Sequence, residues 1–303
     1  MGYLFLLLAT LSWSFVGILV KAASTMVDST TITFARFSIG VVFLGLFLLL
    51  KGKGLRLQFR LRWIWLGALG KALNNYLENI GLSIGYSYGY ILVSPVSTVL
   101  LLLVSYFLLK ERISVRGRIA AAMCVAGVFV ISWNGKPLGD LFGADSLTTL
   151  IFLISGVGAT FHVLSQNLLA KDMEPGEMNF SVFFWASLVM MVPLPWQFEF
   201  HGNASISSVG ALVLLGLITG ISFYWFSLGL AKVPFSVAVI LSNSSVLFAI
   251  LWSFLIYRDP ITTYIVGGAT LFTAGMVVLN LPVGHKRIRR QVRSESEDKS
   301  LPK

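Results

Sequence analysis

The chain has 303 residues, of which 56% are hydrophobic and only 12% charged, with a formal net charge of +10. A mean hydropathy of +0.83 lies far from the roughly 45–50% apolar and 25% charged make-up of a soluble domain, so a water-soluble globular fold is excluded. The quantity to count is then membrane spans rather than domains.

A span needs about 20 mostly apolar residues to cross roughly 30 Å of hydrocarbon. Breaks at charged or Gly/Pro-rich stretches predict about ten such helices, over 3–20, 31–50, 63–82, 88–109, 115–133, 147–170, 179–198, 208–230, 235–257 and 261–281. Continuously apolar runs such as 99–104 exclude a β-barrel, whose strands alternate at every second residue.

The first span has no basic residue ahead of it and outruns the roughly 7–15-residue core of a secretory signal, so it reads as an uncleaved helix. Trp13 within it is a candidate wall for an apolar or cationic part of a ligand. The third span is the anomaly. Lys71, Asn74, Asn75, Glu78 and Asn79 put charges at membrane depth, where each costs at least ~2.5–3.5 kcal/mol. At about 100° per residue they share one helix face, which must point into the bundle or a wet cavity.

Lys71 and Glu78 are about 10 Å apart along the axis, too far for a close ion pair within the helix, so each needs another partner. Two readings of the stripe stand side by side. In one, Glu78 binds a substrate amine or a coupling proton, Lys71 meets a carboxylate or phosphate, and Asn74 and Asn75 supply directional hydrogen bonds. In the other, the asparagines bond across helices and Lys71 snorkels to the interface.

Beyond the third span, Gly85-Tyr86-Ser87-Tyr88-Gly89 matches a hydrolase nucleophile elbow on paper, but a helix precedes it where a strand is required, so it reads as an outer turn. Cys124, in the fifth span, is the single cysteine, so neither a disulfide framework nor a thiolate metal cluster is expected. His162, with Gln166 one turn on, is a candidate cavity residue, and an imidazole is the side chain that ordinarily titrates in the range a proton relay uses. Tyr90, Tyr224 and Trp225 are further candidate aromatic walls. Phosphate-loop and zinc-ligand motifs are absent, so no cofactor or metal is expected, and a proton or solute gradient remains as the energy source.

The basic residues gather on one side. Lys51, Lys53, Arg56, Arg60 and Arg62 fall in one linker, Lys110, Arg112, Arg116 and Arg118 in another, and Lys286, Arg287, Arg289, Arg290 and Arg293 in the tail. The positive-inside rule therefore places both termini in the cytoplasm. The charge reflects topology and does not call for nucleic acid as a partner; the bilayer and a small solute are the partners expected.

Residues 81–132 overlay 229–280 without a gap at a shift of 148, with Gly81-Leu82 on Gly229-Leu230, Ser97 on Ser245 and Lys110-Glu111 on Arg258-Asp259. Each half holds about five spans, so the second copy enters the membrane from the opposite side, and inverted repeats let one central site open to either face in turn. At this shift Asn243, within Ser242-Asn243-Ser244-Ser245, stands opposite Pro95. A polar run facing a prolyl kink suits a central site with freed backbone carbonyls.

Over roughly 3–281 the chain resembles the drug/metabolite transporter superfamily, in its ten-helix branch of paired EamA-type repeats. The resemblance is carried by Trp13-Ser14, Ala35-Arg36, Pro95, the run Leu109-Lys110-Glu111-Arg112-Ile113-Ser114, and Gly127. It implies an all-α membrane basket around a central cavity lined by spans one, three, four, six, eight and nine, and an activity of metabolite transport, often export. It also implies a pairing role for Arg36 near the outer face rather than substrate contact. The expected organisation is a first repeat over 3–133, an extracytoplasmic linker over 134–146, a second repeat over 147–281 and a basic cytoplasmic tail over 282–303.

The expected function is a secondary transporter of a small polar metabolite such as an amino acid, in the plasma membrane, using alternating access. Two alternatives differ in class. A non-transporting partner subunit would bury the third-span stripe against a second protein; an intramembrane enzyme would use Glu78, His162 and Lys71 on a lipid-linked substrate and would need a loop to hold its head group.

Overall fold

The structure, a computed structural model, describes residues 1–84, 93–110, 113–135, 146–202, 204–258 and 260–280. Among these residues the helices are α1 (Gly2–Ser14), α2 (Val16–Ala23), α3 (Ser29–Leu50), α4 (Arg62–Ile84), α5 (Val93–Phe107), α6 (Val115–Trp133), α7 (Ser146–Leu169), α8 (Pro175–Met191), α9 (Leu194–Gln197), α10 (Ile206–Leu230), α11 (Phe235–Ser242), α12 (Ser245–Tyr257) and α13 (Thr263–Asn280). Taking α1 with α2 and α11 with α12, and setting aside the short α9, they make the all-helical membrane fold of ten passes that the hydropathy predicts. Five are long and apolar enough to cross by length and composition alone: Gly2–Ala23, Ser29–Leu50, Leu150–Leu169, Ile206–Leu230 and Phe235–Tyr257. Helix α4, at 23 residues, is long enough, but its polar stripe keeps it out of that set.

Two passes are broken. The first bends at Phe15, where Thr10, Ser12 and Ser14 turn their hydroxyls back onto the carbonyls of Leu7, Leu8 and Leu11. The ninth bends at Asn243 and Ser244, flanked by Ser242 on the Val239 carbonyl and Ser245 on the Ser242 carbonyl. Hydroxyls that compete for helix carbonyls bend helices, and both breaks show the tighter i to i−3 bonding that follows, as Phe15 N–H to Ser12 O and Asn243 N–H to Ile240 O. The two bent passes lie together: Ser244 Oγ donates to Thr10 Oγ1 at 3.3 Å and Trp252 Nε1 to Ser14 Oγ at 2.9 Å. The seventh pass starts earlier than the predicted 179 because Pro175 opens α8 at its first turn.

The inverted symmetry is visible in contacts that obey the 148-residue shift. Where α6 crosses α13, a Cβ on Gly127 would meet Gly268 and Phe272, and one on Gly275 would meet Ala120 and Cys124; each set maps on the other at that shift. Cys124 Sγ accordingly lies 3.7 Å from the Phe272 carbonyl oxygen, which fits its expected role in packing. Gly81 on α4 receives Phe152 of α7, and Gly229 on α10 receives Leu6 of α1, so each third helix seats the first helix of the opposite repeat. Lys110 and Arg258, also 148 apart, both take left-handed backbone at φ 54° and 57°. Small residues at such crossings replace the hydrophobic drive that helices lack in lipid.

Helix α4 packs most extensively on α7, with Gly70 against Gly158, where an added Cβ would come within 2.8 Å of the Gly158 carbonyl oxygen. At the start of α3, Asp28 accepts from the N–H groups of Thr30, Thr31 and Glu199. Partial burial pushes its carboxyl up, but these bonds and one from the Thr31 hydroxyl outweigh it and hold the acid below its ordinary value. The loop after α9 is thereby stitched to the α2–α3 turn, with an antiparallel bridge between Val27 and Phe200.

Candidate functional site

The bends, the α4–α7 seat and the pseudo-twofold axis leave a central cavity of about 140 Å³ among α1–α5, α7 and α10–α12. Symmetry-related Ser97 and Ser245 both reach its wall, so the axis runs through it. From α4 come Lys71, Asn74 and Glu78, from α3 Arg36, from α1 Trp13, from α7 His162, from α10 Phe223, and from the ninth pass Asn243. The second pass therefore joins the spans that the resemblance implies as lining.

The polar stripe of α4 divides. Asn74 accepts from Lys71 Nζ at 2.8 Å and presents its amide nitrogen to Glu78 Oε2 at 3.5 Å and to Ser155 Oγ at 2.9 Å. The missing partner of each charge is thus one shared amide: two side chains seven residues apart converge on the residue between them. Glu78 Oε1 also lies 3.6 Å from Arg36 Nη1. Both contacts of the carboxylate are longer than the usual 2.7–3.2 Å or so of a protein hydrogen bond, so Glu78 is held loosely. Lys71 completes its environment with the Phe223 ring, 4.3 Å from its ammonium.

Asn75 and Asn79, rotated about 40° and 80° from Lys71, do not reach the cavity. Asn79 donates to Thr33 Oγ1 at 2.7 Å and accepts from Arg36 Nη1 at 2.9 Å, tying α4 to α3. Asn75 is fully buried, and its amide has no hydrogen-bond partner among the described residues. Arg36 is 3% exposed, pairs with Asn79 and Glu78, and forms part of the wall as well.

His162 lines the cavity with both ring nitrogens engaged: Nδ1 donates to the Gly67 carbonyl at 3.2 Å, and Nε2 accepts from Gln166 Nε2 at 3.0 Å. This bonding pattern assigns the neutral tautomer. Gln166 donates onward to Asn179 Oδ1 at 2.8 Å, and Asn179 donates to Ser227 Oγ, so the network fastens α7, α8 and α10 together. The arrangement suits a rigid wall better than a proton relay. Asn243 exchanges hydrogen bonds with Thr98 at 2.8 and 3.1 Å across the cavity.

The aromatic expectation is shifted by one residue. Tyr224 does not line the cavity; it packs edge-on to Phe47, 5.4 Å between centroids, and Lys51 lies 5.8 Å over its ring. One residue of helix turns the side chain by about 100°, so its neighbour Phe223 takes the wall, 4.8 Å from Trp13 and 5.0 Å from His162. Phe223 was legible as the middle of the face Thr219, Phe223, Ser227. Trp225 packs with the clusters around Phe226 and Leu48. Pro95 sits in α5, but its side chain, with Tyr90, the Gly85–Gly89 turn, Glu111, Arg112, Asp259 and the tail, lies outside the described residues.

A cavity on the axis of two inverted five-pass repeats, walled by membrane-depth charges, is what a solute carrier requires. The EamA-like transporter family matches this sequence twice, over 1–133 and 146–281. The chain belongs to the EamA-like transporter family. It is a multi-pass membrane protein, and its family is one of transporters rather than enzymes. Among its relatives, the Bacillus subtilis "Uncharacterized transporter YwfM" is 26% identical over 177 residues, 57% of each chain. "Purine permease 2" of Arabidopsis thaliana is 28% identical over 85 residues, 28% of this chain and 24% of that protein. The chain thus matches little more than half the length of one of these relatives and about a quarter of the other. A protein of known crystal structure shares the fold with a TM-score of 0.75 at 20% identity, over 92% of this chain and 98% of its own.

Proposed function

We propose that this transporter is a secondary carrier that exports a small polar metabolite of the amino-acid class across the plasma membrane by alternating access. The observation that carries the reading is the convergence of Lys71 and Glu78 on the single amide of Asn74. An ammonium has three donors, and Asn74 occupies one of them, so Lys71 can take a substrate carboxylate. The loosely held Glu78 faces the same space and can take the substrate amine or a coupling proton. The two charges are one amide apart, a spacing that a zwitterion can bridge.

The bends in the first and ninth passes, meeting beside the cavity, support alternating access, since such discontinuities let one site open to either face. The one-sided loop charge supports cytoplasmic termini, with the tail 282–303 inside and the linker 134–146 outside. The division into repeats over 3–133 and 147–281 follows the same symmetry.

A thermal-shift series on the purified chain tests the ligand class, because a ligand that binds only the folded form raises apparent stability. Amino acids should raise the midpoint for the wild type and lose most of the effect in Lys71→Gln. A response to sugars or nucleobases alone would reject the reading.

A further inference from the structure

The loop between α3 and α4 does not leave the bundle; it folds back along α8. Lys53 pairs with Glu174, Gln58 N–H donates to Ser181 Oγ at 3.0 Å, and Trp185 Nε1 donates to the Gln58 carbonyl at 2.8 Å. Ser181 lies about 9 Å into α8 at 1.5 Å per residue. Leu55 approaches Gly45, which stands about 7–8 Å before the end of α3 on the same scale. The segment therefore lies about 7–9 Å inside the ends of α3 and α8, a distance comparable with the roughly 5–10 Å at which interfacial segments bury their apolar side chains.

Its side chains suit that depth. Every second residue is apolar and only partly covered by the protein, with Leu55, Leu57 and Phe59 exposed to 42%, 39% and 54%. Arg56 and Arg60 are interleaved with them, and neither has a carboxylate within 4 Å among the described residues. The corresponding loop on the opposite face repeats the pattern with exposed Trp196, Phe198 and Phe200, but carries Glu199 and no arginine. Both loops are built to lie in an interface. Only 55–60 adds cations at phosphate level.

We propose that segment 55–60 is a binding site for anionic phospholipid: Arg56 and Arg60 hold the head-group phosphate while Leu55, Leu57 and Phe59 enter the acyl boundary. Guanidinium forks match phosphate oxygens in pairs, and the backbone that carries them is already fixed against α8, so little ordering is required on binding.

Native mass spectrometry of the full chain, from membranes of phosphatidylcholine doped with phosphatidylglycerol, tests the site. Wild type should retain phosphatidylglycerol preferentially. A basic residue near an anionic surface contributes about 1 kcal/mol, or about fivefold, so R56Q/R60Q should lose about 25-fold of that preference. L57S/F59S keeps every charge, and hence the topology, and should lower retention of both lipids while leaving the preference in place. Removal of 282–303 should change nothing. Equal retention of both lipids by wild type, an unchanged preference in R56Q/R60Q, or a preference that disappears with the tail would each overturn the proposal. None of these outcomes bears on the substrate cavity.

Discussion

Helices α4 and α10 stand at equivalent places in the two repeats, and both line the cavity, but with different chemistry. Where α4 has Lys71, Asn74 and Glu78, α10 has Thr219, Ser222 and Phe226 at the 148-residue shift. The positions that hold the fold are alike. Gly81 and Gly229 seat the first helix of the opposite repeat, and Asn79 and Ser227 each tie the helix to the second helix of its own repeat, Asn79 to Thr33 and Ser227 to Asn179. Symmetry is kept where packing needs it and dropped where the site faces solute. The first repeat contributes the cavity charges, and the second contributes a ring and a neutral polar network.

The comparison breaks most directly if a charge on α4 can be replaced by its counterpart on α10 at no cost. Lys71→Thr should raise the KM for transport in proteoliposomes by about 10–100-fold, the worth of a charge-assisted hydrogen bond of about 1.5–3 kcal/mol. Thr219→Val on α10, measured alongside, should change it far less; equal effects would mean that the asymmetry has no bearing on the solute.

Phe223→Leu sharpens the other side of the comparison. It removes the ring over Lys71 and should raise KM about 2–30-fold, as a cation–π contact of about 0.5–2 kcal/mol implies. A loss of stability with unaltered KM would make the ring mere packing. His162→Gln should lower thermal stability by about 1–3 kcal/mol through its orphaned partners and leave the pH profile of transport in place; a displaced profile would restore the histidine as a titrating group.

The smallest effect lies away from the cavity. Asp28→Ala should cost about 1 kcal/mol of stability as a lost helix cap without touching KM. The folded-state pKa of Asp28 is depressed, so its stabilisation is present above the unfolded value of 3.8 and is lost as pH falls through the lower folded value. Stability lost to this group at mildly acidic pH would contradict the capping role.

Much of this architecture was legible because lipid restricts what a sequence can do. Apolar runs must be helices, and a polar stripe at helical spacing must face inward, as Lys71, Asn74 and Glu78 do. Contacts that depend on angle were not legible to the same degree. Tyr224 is one of the aromatic walls expected from the sequence, but one residue of rotation gives the place to Phe223. The break at Phe15 carries no proline signal; it lies beside three hydroxyls whose carbonyl bonds are local geometry. The spacing of His162 and Gln166 is local to one helix, but Asn179 and Ser227, which complete the network, lie on two other helices.

The most direct test of the central claim is solute flux through purified protein in liposomes under an imposed pH gradient, wild type against Glu78→Gln. The amide keeps the shape of the carboxylate and removes its charge and its titration. Loss of flux, or of its pH dependence, is the result expected if Glu78 takes the substrate amine or the coupling proton. Flux that is undiminished and equally pH-sensitive would contradict it.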